Sequence, residues 1–175
     1  ENFSINMNRN NNKSLENFEK LELNNVFFSY ENKKKINLEN INVSIFKNEI
    51  IGFIGKSGAG KSTLLDLIIG VLRPSSGTIK LNDKNLNENL YEWQKTIGYV
   101  PQDLYILDDT ILNNIAFGVD TENVSLEKCK ESLSRAQLLD FVESLDDKYN
   151  TVLGNRGIRL SGGQRQRLGI ARALY

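Results

Sequence analysis

A glycine-rich loop between an apolar run and an amphipathic segment constrains this chain more than any other feature. The loop reads Gly55-Lys56-Ser57-Gly58-Ala59-Gly60-Lys61-Ser62. Residues 50–54 before it are apolar at nearly every position, which predicts a strand buried on both faces. Residues 61–72 after it carry a broad apolar face, which predicts a helix. A strand, a tight loop and a helix in this order predict an α/β core.

The loop fits the phosphate-binding pattern G-x-x-x-x-G-K-[ST]. Glycines let successive backbone N–H groups converge on phosphate oxygens, and the start of the following helix adds unpaired N–H groups. Lys61 would place a mobile positive charge on the β- and γ-phosphates of ATP, and Ser62 would offer a hydroxyl to Mg²⁺. The predicted nucleotide-binding residues of this region are Gly55, Lys56, Ser57, Gly58, Ala59, Gly60, Lys61, Ser62 and Thr63.

A second glycine motif lies near the end of the sequence and reads Leu160-Ser161-Gly162-Gly163-Gln164. A serine hydroxyl, two glycine N–H groups and the start of a helix form another site suited to an anion. With the Arg-Gln-Arg that follows, this stretch resembles the signature of the ATP-binding cassette (ABC) family of ATPases. The resemblance extends from about Leu21 to Tyr175. It implies that the signature of one domain closes over ATP held by the phosphate loop of a second domain.

The resemblance also gives roles to two residues outside the glycine motifs. Tyr30 matches the aromatic residue that stacks on adenine, a contact that discriminates weakly between purines because it needs only a π-face. Taken alone, Tyr30 is equally well explained as a core aromatic. Gln102 matches the Q-loop glutamine, which contacts Mg²⁺ and the attacking water. The resemblance therefore implies Lys61 and Gln102 as catalytic residues, and Ser62 and Gln102 as Mg²⁺ ligands.

Two stretches resemble the exporter branch of the family. Residues 109–115 are similar to its D-T-I-x-x-N-I segment, and residues 154–157 are similar to a G-E-R-G loop that contacts the transmembrane domains, with Asn155 in place of the glutamate. The resemblance implies an ATPase domain at the cytoplasmic face of a membrane. It also implies head-to-tail pairing with a second nucleotide-binding domain, so that ATP hydrolysis drives export or flipping through transmembrane partners.

The expected fold is a RecA-like P-loop NTPase core with an N-terminal antiparallel β subdomain and an inserted helical subdomain. The Asn-rich residues 1–20 predict a linker, and residues 21–175 the nucleotide-binding domain, with the insert at about 102–157. Further strands are predicted at 21–30, 41–45, 78–81 and 97–100. Further helices are predicted at 109–116, 125–136 (with Ser125 as its cap), 138–144 and from about Gln164.

Hydrolysis in this family requires an Mg²⁺-binding Asp, a Glu beside the attacking water and a switch His, all after the signature. None follows here before Tyr175, and the chain contains no His. The domain is therefore predicted to be incomplete at its C-terminus and inactive in hydrolysis on its own. Residues 104–108 offer an alternative, because an apolar run that ends in Asp108 would suit the Mg²⁺ strand of another P-loop class. Otherwise Tyr105, Ile106 and Leu107 are expected to pack within the helical insert.

The composition limits the classes of protein to which this chain can belong. Lys and Arg number 22 and Asp and Glu 22, a balance that disfavours nucleic acid as the main partner. The lone Cys129 excludes a disulfide framework and indicates a reducing compartment. No apolar run approaches the roughly 20 residues of a membrane span. Two alternatives to an exporter domain remain: a soluble ABC-class ATPase of DNA repair or translation, and a nucleotide-binding module without catalysis.

Overall fold

The structure is a computed structural model that describes residues 18–30, 37–154 and 159–175. The chain divides into two compact units, one up to Ile97 and one from Gly98 to Tyr175. Asn155 and the rest of the predicted contact loop after Gly154 lie outside the described residues, as do residues 1–17 of the predicted linker.

The first unit is built on a four-stranded antiparallel sheet with the strand order β2-β1-β3-β4. The antiparallel pairing of β1 with β2 confirms the predicted N-terminal antiparallel sheet, and β3 pairs with the other edge of β1. The strands are β1 (Lys20–Phe28), β2 (Leu38–Phe46), β3 (Ser76–Leu81) and β4 (Lys84–Asn85).

A bulge in β1 keeps one face of the strand apolar where the sequence stops alternating. Leu21 and Leu23 are buried at 1% exposure each. The register then shifts between Leu23 and Val26, at Asn25, whose φ is 48°. An extra residue reverses which face the next side chains occupy, and Asn tolerates the left-handed backbone that this requires. Val26 and Phe28 are therefore buried as well.

Two helices, α1 (Lys61–Ile68) and α2 (Leu90–Lys95), supply most of the rest of the first core. Trp93 Nε1 of α2 donates to the Ile68 carbonyl at 2.8 Å and joins the two helices. The helix α1 ends four residues before the predicted Leu72 because Gly70 adopts a φ of 76°. The buried core consists of Leu21, Leu23, Val26, Phe28, Leu38, Leu64, Leu67, Ile68, Ile79, Leu81, Leu86 and Trp93.

Two predicted strands are not formed. Residues 50–54 are irregular, and Ile50 and Ile54 are fully exposed, at 102% and 100%. Residues 97–100 are irregular too, with Tyr99 and Val100 exposed. A strand that is buried on both faces requires neighbours that hydrogen-bond along its edges. None of the described strands pairs with either segment, so the apolar pattern alone does not produce strand structure.

The second unit is helical, and its helices lie within a few residues of the predicted positions. They are α3 (Ile111–Ile115), α4 (Leu126–Arg135), α5 (Leu139–Glu143) and α6 (Gly162–Leu174). Burial raises the pKa of the Cys129 thiol to about 11, as expected for a core residue. No helix in the described ranges combines the length and the apolar character needed to cross a membrane. The buried core consists of Ile111, Ile115, Cys129, Leu133, Ala136, Leu138, Val142, Tyr149, Leu153, Leu168 and Ala171.

The apolar run 104–108 forms no strand. Leu104 and Ile106 pack against the second core, but Tyr105 is 72% exposed, so its predicted packing in the helical insert is wrong. An apolar run does not reveal which of its side chains will face solvent. The Asp108 carboxylate occupies the space that a side chain on Gly154 would need. Within the described ranges, no group of three or more acidic, Cys or His residues is placed to hold a metal ion.

Ser125 caps α4 as predicted, because its Oγ accepts a hydrogen bond from the Lys128 N–H at 3.3 Å. We expect Ser125→Ala to lower the free energy of unfolding by about 1 kcal/mol, since the N–H loses its acceptor. Denaturant unfolding measures this change. Ser134→Ala, on the exposed face of the same helix, serves as the control and should change stability by less than about 0.5 kcal/mol. Equal losses in the two variants would contradict the capping role.

Candidate functional site

The glycine-rich loop is an exposed turn that leads into α1. The Ala59 N–H donates to the Lys56 carbonyl at 3.1 Å, and Gly58 and Gly60 adopt φ values of 79° and 90°. A side chain on Gly60 would meet Leu38 Cδ2 at 2.7 Å, whereas one on Gly58 would meet nothing within 4 Å. Glycine is therefore required at the base of the loop, and open space beside Gly58 leaves room for a ligand.

The helix α1 begins without a side-chain cap. Its N-cap is Gly60, and its first turn contains no acidic residue. Its first N–H groups therefore receive no side-chain acceptor from the cap position, and the positive end of the helix dipole is not compensated. Ser62 is exposed in this turn, while Thr63 is buried. An anion is the natural partner for a helix start of this kind.

The ammonium group of Lys61 lies against the loop. Its Nζ donates to the carbonyls of Gly55 at 2.8 Å and Lys56 at 2.9 Å. A third ammonium proton remains for a further acceptor. Hydrogen bonds from an ammonium to an anionic oxygen are stronger than those to a neutral carbonyl, because both partners then carry charge. The loop, the helix start and Lys61 therefore fit the phosphates of a nucleotide.

Tyr30, the residue predicted to stack on adenine, lies beside the phosphate loop's helix. Its hydroxyl and Thr63 Oγ1 are 3.2 Å apart, and its ring meets Phe28 edge-on with a centroid distance of 4.8 Å. The residue remains 37% exposed, so it is not buried as a core aromatic would be. The structure thus brings Tyr30 together with residues 60–63, which the sequence separates from it by about thirty positions.

Gln102 belongs to the second unit, where it is exposed in an irregular stretch between Pro101 and Leu104. Ser62, the other residue that is predicted to bind Mg²⁺, belongs to the first unit. The pairing of Gln102 with Ser62 around a metal ion therefore stays a prediction.

The five predicted signature residues form one turn at the start of α6. The Ser161 Oγ accepts from the Gln164 N–H at 3.2 Å, and Gln164 Oε1 accepts from the Ser161 N–H at 2.8 Å, which is a capping box. Gly162 and Gly163 are exposed, and a side chain on either would meet nothing within 4 Å. Leu160 packs against the second core. Ser161 still has its own hydroxyl proton to donate to an anion.

Two polar residues of this unit, for which the sequence indicated no role, are hydrogen-bonded to each other. Asn114 lies between Ile111 and Ile115 on α3 and is 0% exposed, and Arg172 of α6 donates to it. The available signal was an asparagine on an otherwise apolar face of a short helix. It did not identify the partner, which is 58 positions away.

Comparison with known proteins agrees with these observations. A family model described as ABC transporter matches residues 38–175. The ATP-dependent lipid A-core flippase of Coxiella burnetii is 42% identical over 156 residues, which cover 89% of this chain and 26% of that protein. The alpha-hemolysin translocation ATP-binding protein of Escherichia coli O157:H7 is 40% identical over 155 residues, which cover 88% of this chain and 22% of that protein.

Among solved structures, a bacterial Atm1-family ABC exporter with ATP bound matches with a TM-score of 0.80 and 31% identity, over 90% of this chain and 27% of that one. The chain thus spans about a quarter of the length of these relatives. The likeness confirms the predicted fold class, a P-loop NTPase core with an antiparallel sheet and helices. The phosphate loop and the signature both lie within the matched residues. The chain therefore belongs to the ABC transporter family.

Proposed function

We propose that this chain is the ATP-binding part of an exporter, and that the complete protein hydrolyses ATP to move a substrate across a membrane. One observation carries the proposal: an open glycine turn, an uncapped helix start and the Lys61 ammonium lie together in the first unit. The names of the relatives, a flippase and a translocation protein, support export. They do not favour a soluble ABC-class ATPase or a module without catalysis.

In this proposal, residues 55–63 hold the phosphates of ATP and Tyr30 stacks on the adenine. The Lys61 ammonium leaves the carbonyls of Gly55 and Lys56 for phosphate oxygens, and this exchange favours binding because the new acceptors are negatively charged whereas the carbonyls are neutral. Ser62 and Gln102 would hold Mg²⁺, which would neutralise part of the phosphate charge. Gln102 also orients the attacking water.

The signature residues act in trans in this proposal. Residues 160–164 close over ATP that is held by the phosphate loop of a second nucleotide-binding domain, either an identical copy or a related chain. The open space beside Gly162 and Gly163 supports this role, because it admits a phosphate close to the backbone. The domain would comprise residues 21–175 with a helical insert at about 102–157, preceded by a linker. It would lie at the cytoplasmic face of a membrane, against transmembrane domains.

The chain of residues 1–175 should bind ATP in the presence of Mg²⁺ but hydrolyse it no faster than background. Phosphoryl transfer depends on positioned groups around the transferred phosphate, and part of that set is expected after Tyr175. Calorimetry measures binding, and phosphate release measures turnover. No detectable ATP binding would refute the proposal. Steady turnover that Lys61→Ala abolishes would show instead that this chain supplies its own carboxylate, with Asp108 the first residue to test.

A further inference from the structure

Arg172 of α6 hydrogen-bonds to the backbone of the segment that follows Gln102. Its Nε donates to the Asn114 carbonyl at 2.8 Å, and one terminal nitrogen donates to the Tyr105 carbonyl at 3.0 Å. The other terminal nitrogen donates to Asn114 Oδ1 at 3.3 Å. The guanidinium also lies over the Phe117 ring, 4.9 Å from its centroid. Within the described part of the chain, the polar contacts of this one side chain thus all reach a single stretch, residues 105–114.

Asn114 makes that stretch rigid. Its Nδ2 lies within hydrogen-bond distance of three carbonyl oxygens, those of Leu107 at 3.1 Å, Asp109 at 3.2 Å and Thr110 at 3.0 Å, which share its two protons. Its Oδ1 accepts from the Leu107 N–H at 2.9 Å as well as from Arg172. A buried amide with every polar atom engaged holds one arrangement of the backbone, because any other would leave a polar group unpaired. Arg172 therefore binds a fixed loop.

The stretch before Gln102 packs closely against the same helix. A side chain on Gly98 would meet the Ala173 carbonyl at 2.7 Å, so the backbone there lies directly against the end of α6. A side chain on Gly169 would meet Val100 and Leu104 at 3.3 Å each. Gln102 thus lies in a short segment, and the residues before and after it both contact the C-terminal half of α6.

The same helix begins at the signature. Arg172 follows Ser161 by eleven residues, about 16 Å along the helix axis. We infer that Arg172 is a positioning residue that fastens the Gln102 loop to the signature helix, so that the two move as one body. The inference rests on the proposed function, because it assumes that Gln102 and the signature serve ATP. Partial burial lowers the pKa of the guanidinium, because removal from water disfavours its charged form.

Lysine cannot replace this contact. The guanidinium makes its hydrogen bonds through a rigid planar fork and stacks on an aromatic ring, whereas an ammonium is a point charge. If Arg172 acts through Gln102, removing both side chains should do no more harm than removing one. If Arg172 merely stabilises the unit, the two losses are independent and multiply.

A double-mutant cycle in the complete exporter tests this, with ATP turnover as the readout. We expect Arg172→Met and Gln102→Ala each to lower kcat by about ten-fold, since slight misplacement of a catalytic group has effects of this size or larger. The double variant should also lose only about ten-fold, rather than the roughly hundred-fold of independent effects. ATP affinity, measured on the 175-residue chain, should stay within about two-fold in Arg172→Met.

Arg135→Met is the matched control, because Arg135 is an exposed arginine in the last turn of α4. It should leave kcat unchanged in both backgrounds. If Arg172→Met fails to fold, Arg172→Lys takes its place in the cycle, since it keeps the charge and loses the fork. An unchanged kcat in the Arg172 variant, or losses that multiply, would overturn the inference alone. A parent protein without Lys61-dependent turnover would overturn the proposed function, and the inference with it.

Discussion

Replacing Lys61 with alanine should weaken ATP binding by about 10- to 100-fold. The variant loses a charge-assisted contact to the phosphates, worth roughly 1.5–3 kcal/mol. It also loses the bonds from Nζ to the carbonyls of Gly55 and Lys56, but these lie in an exposed loop where water can replace the ammonium. The effect should therefore fall on ligand affinity rather than on folding. Isothermal calorimetry with ATP and Mg²⁺ measures the affinity, and thermal unfolding without ligand measures the stability of the fold.

Lys84→Ala provides the control for this experiment. Lys84 is an exposed lysine of β4 in the same unit, so the variant removes an equal charge away from the loop. Its ATP affinity should match that of the parent chain within about two-fold. If Lys61→Ala and Lys84→Ala bind ATP equally well, the role given to Lys61 is wrong.

Replacing Ser161 with arginine should abolish ATP-dependent pairing of two domains. The substitution places a bulky side chain beside Gly162 and Gly163, where the structure leaves open space, and it removes the hydroxyl that caps α6. Affinity of the single domain for ATP should stay within a few-fold, because the signature serves the ATP held by the partner. The measurement is equilibrium sedimentation with and without ATP. It requires a version extended past Tyr175 to include the catalytic Glu and then disabled at that Glu.

Ser134→Arg separates this effect from that of an added charge. Ser134 is exposed on α4, so the variant carries the same new side chain at a different place in the same unit. It should form the ATP-dependent dimer as the parent does. A dimer that survives Ser161→Arg would refute the head-to-tail arrangement. Loss of the dimer in both variants would mean that charge, and not position, governs pairing.

The parts of the structure that the sequence predicted well are those determined by neighbouring residues. Ser125 caps α4 as predicted, because a hydroxyl satisfies an N–H only three positions ahead. The hydrophobic alternation of β2 likewise placed a strand with little information from elsewhere. The two glycine motifs were recognisable for the same reason, since each combines its backbone and side-chain chemistry within a few positions.

The predictions that failed depend on distant residues. The apolar run at 50–54 matches the pattern of a buried strand, but strand structure requires partners that no described strand provides. Tyr105 faces solvent although its neighbours Leu104 and Ile106 are packed. The sequence of an apolar run does not show which of its side chains will be buried. The contacts of Arg172 with Tyr105 and Asn114 span 67 and 58 positions, which local pattern reasoning does not reach.

The starts of α1 and α6 differ in how much of their hydrogen bonding is complete before any ligand arrives. At α6, Ser161 and Gln164 satisfy each other's N–H groups, whereas at α1 the glycine cap offers no acceptor. Inorganic phosphate from the cell should therefore compete more strongly at the first helix than at the second. A signature of lower anion affinity would be blocked less by stray phosphate. The difference between a serine cap and a glycine cap would thus set the order of assembly, with nucleotide binding first and domain pairing second.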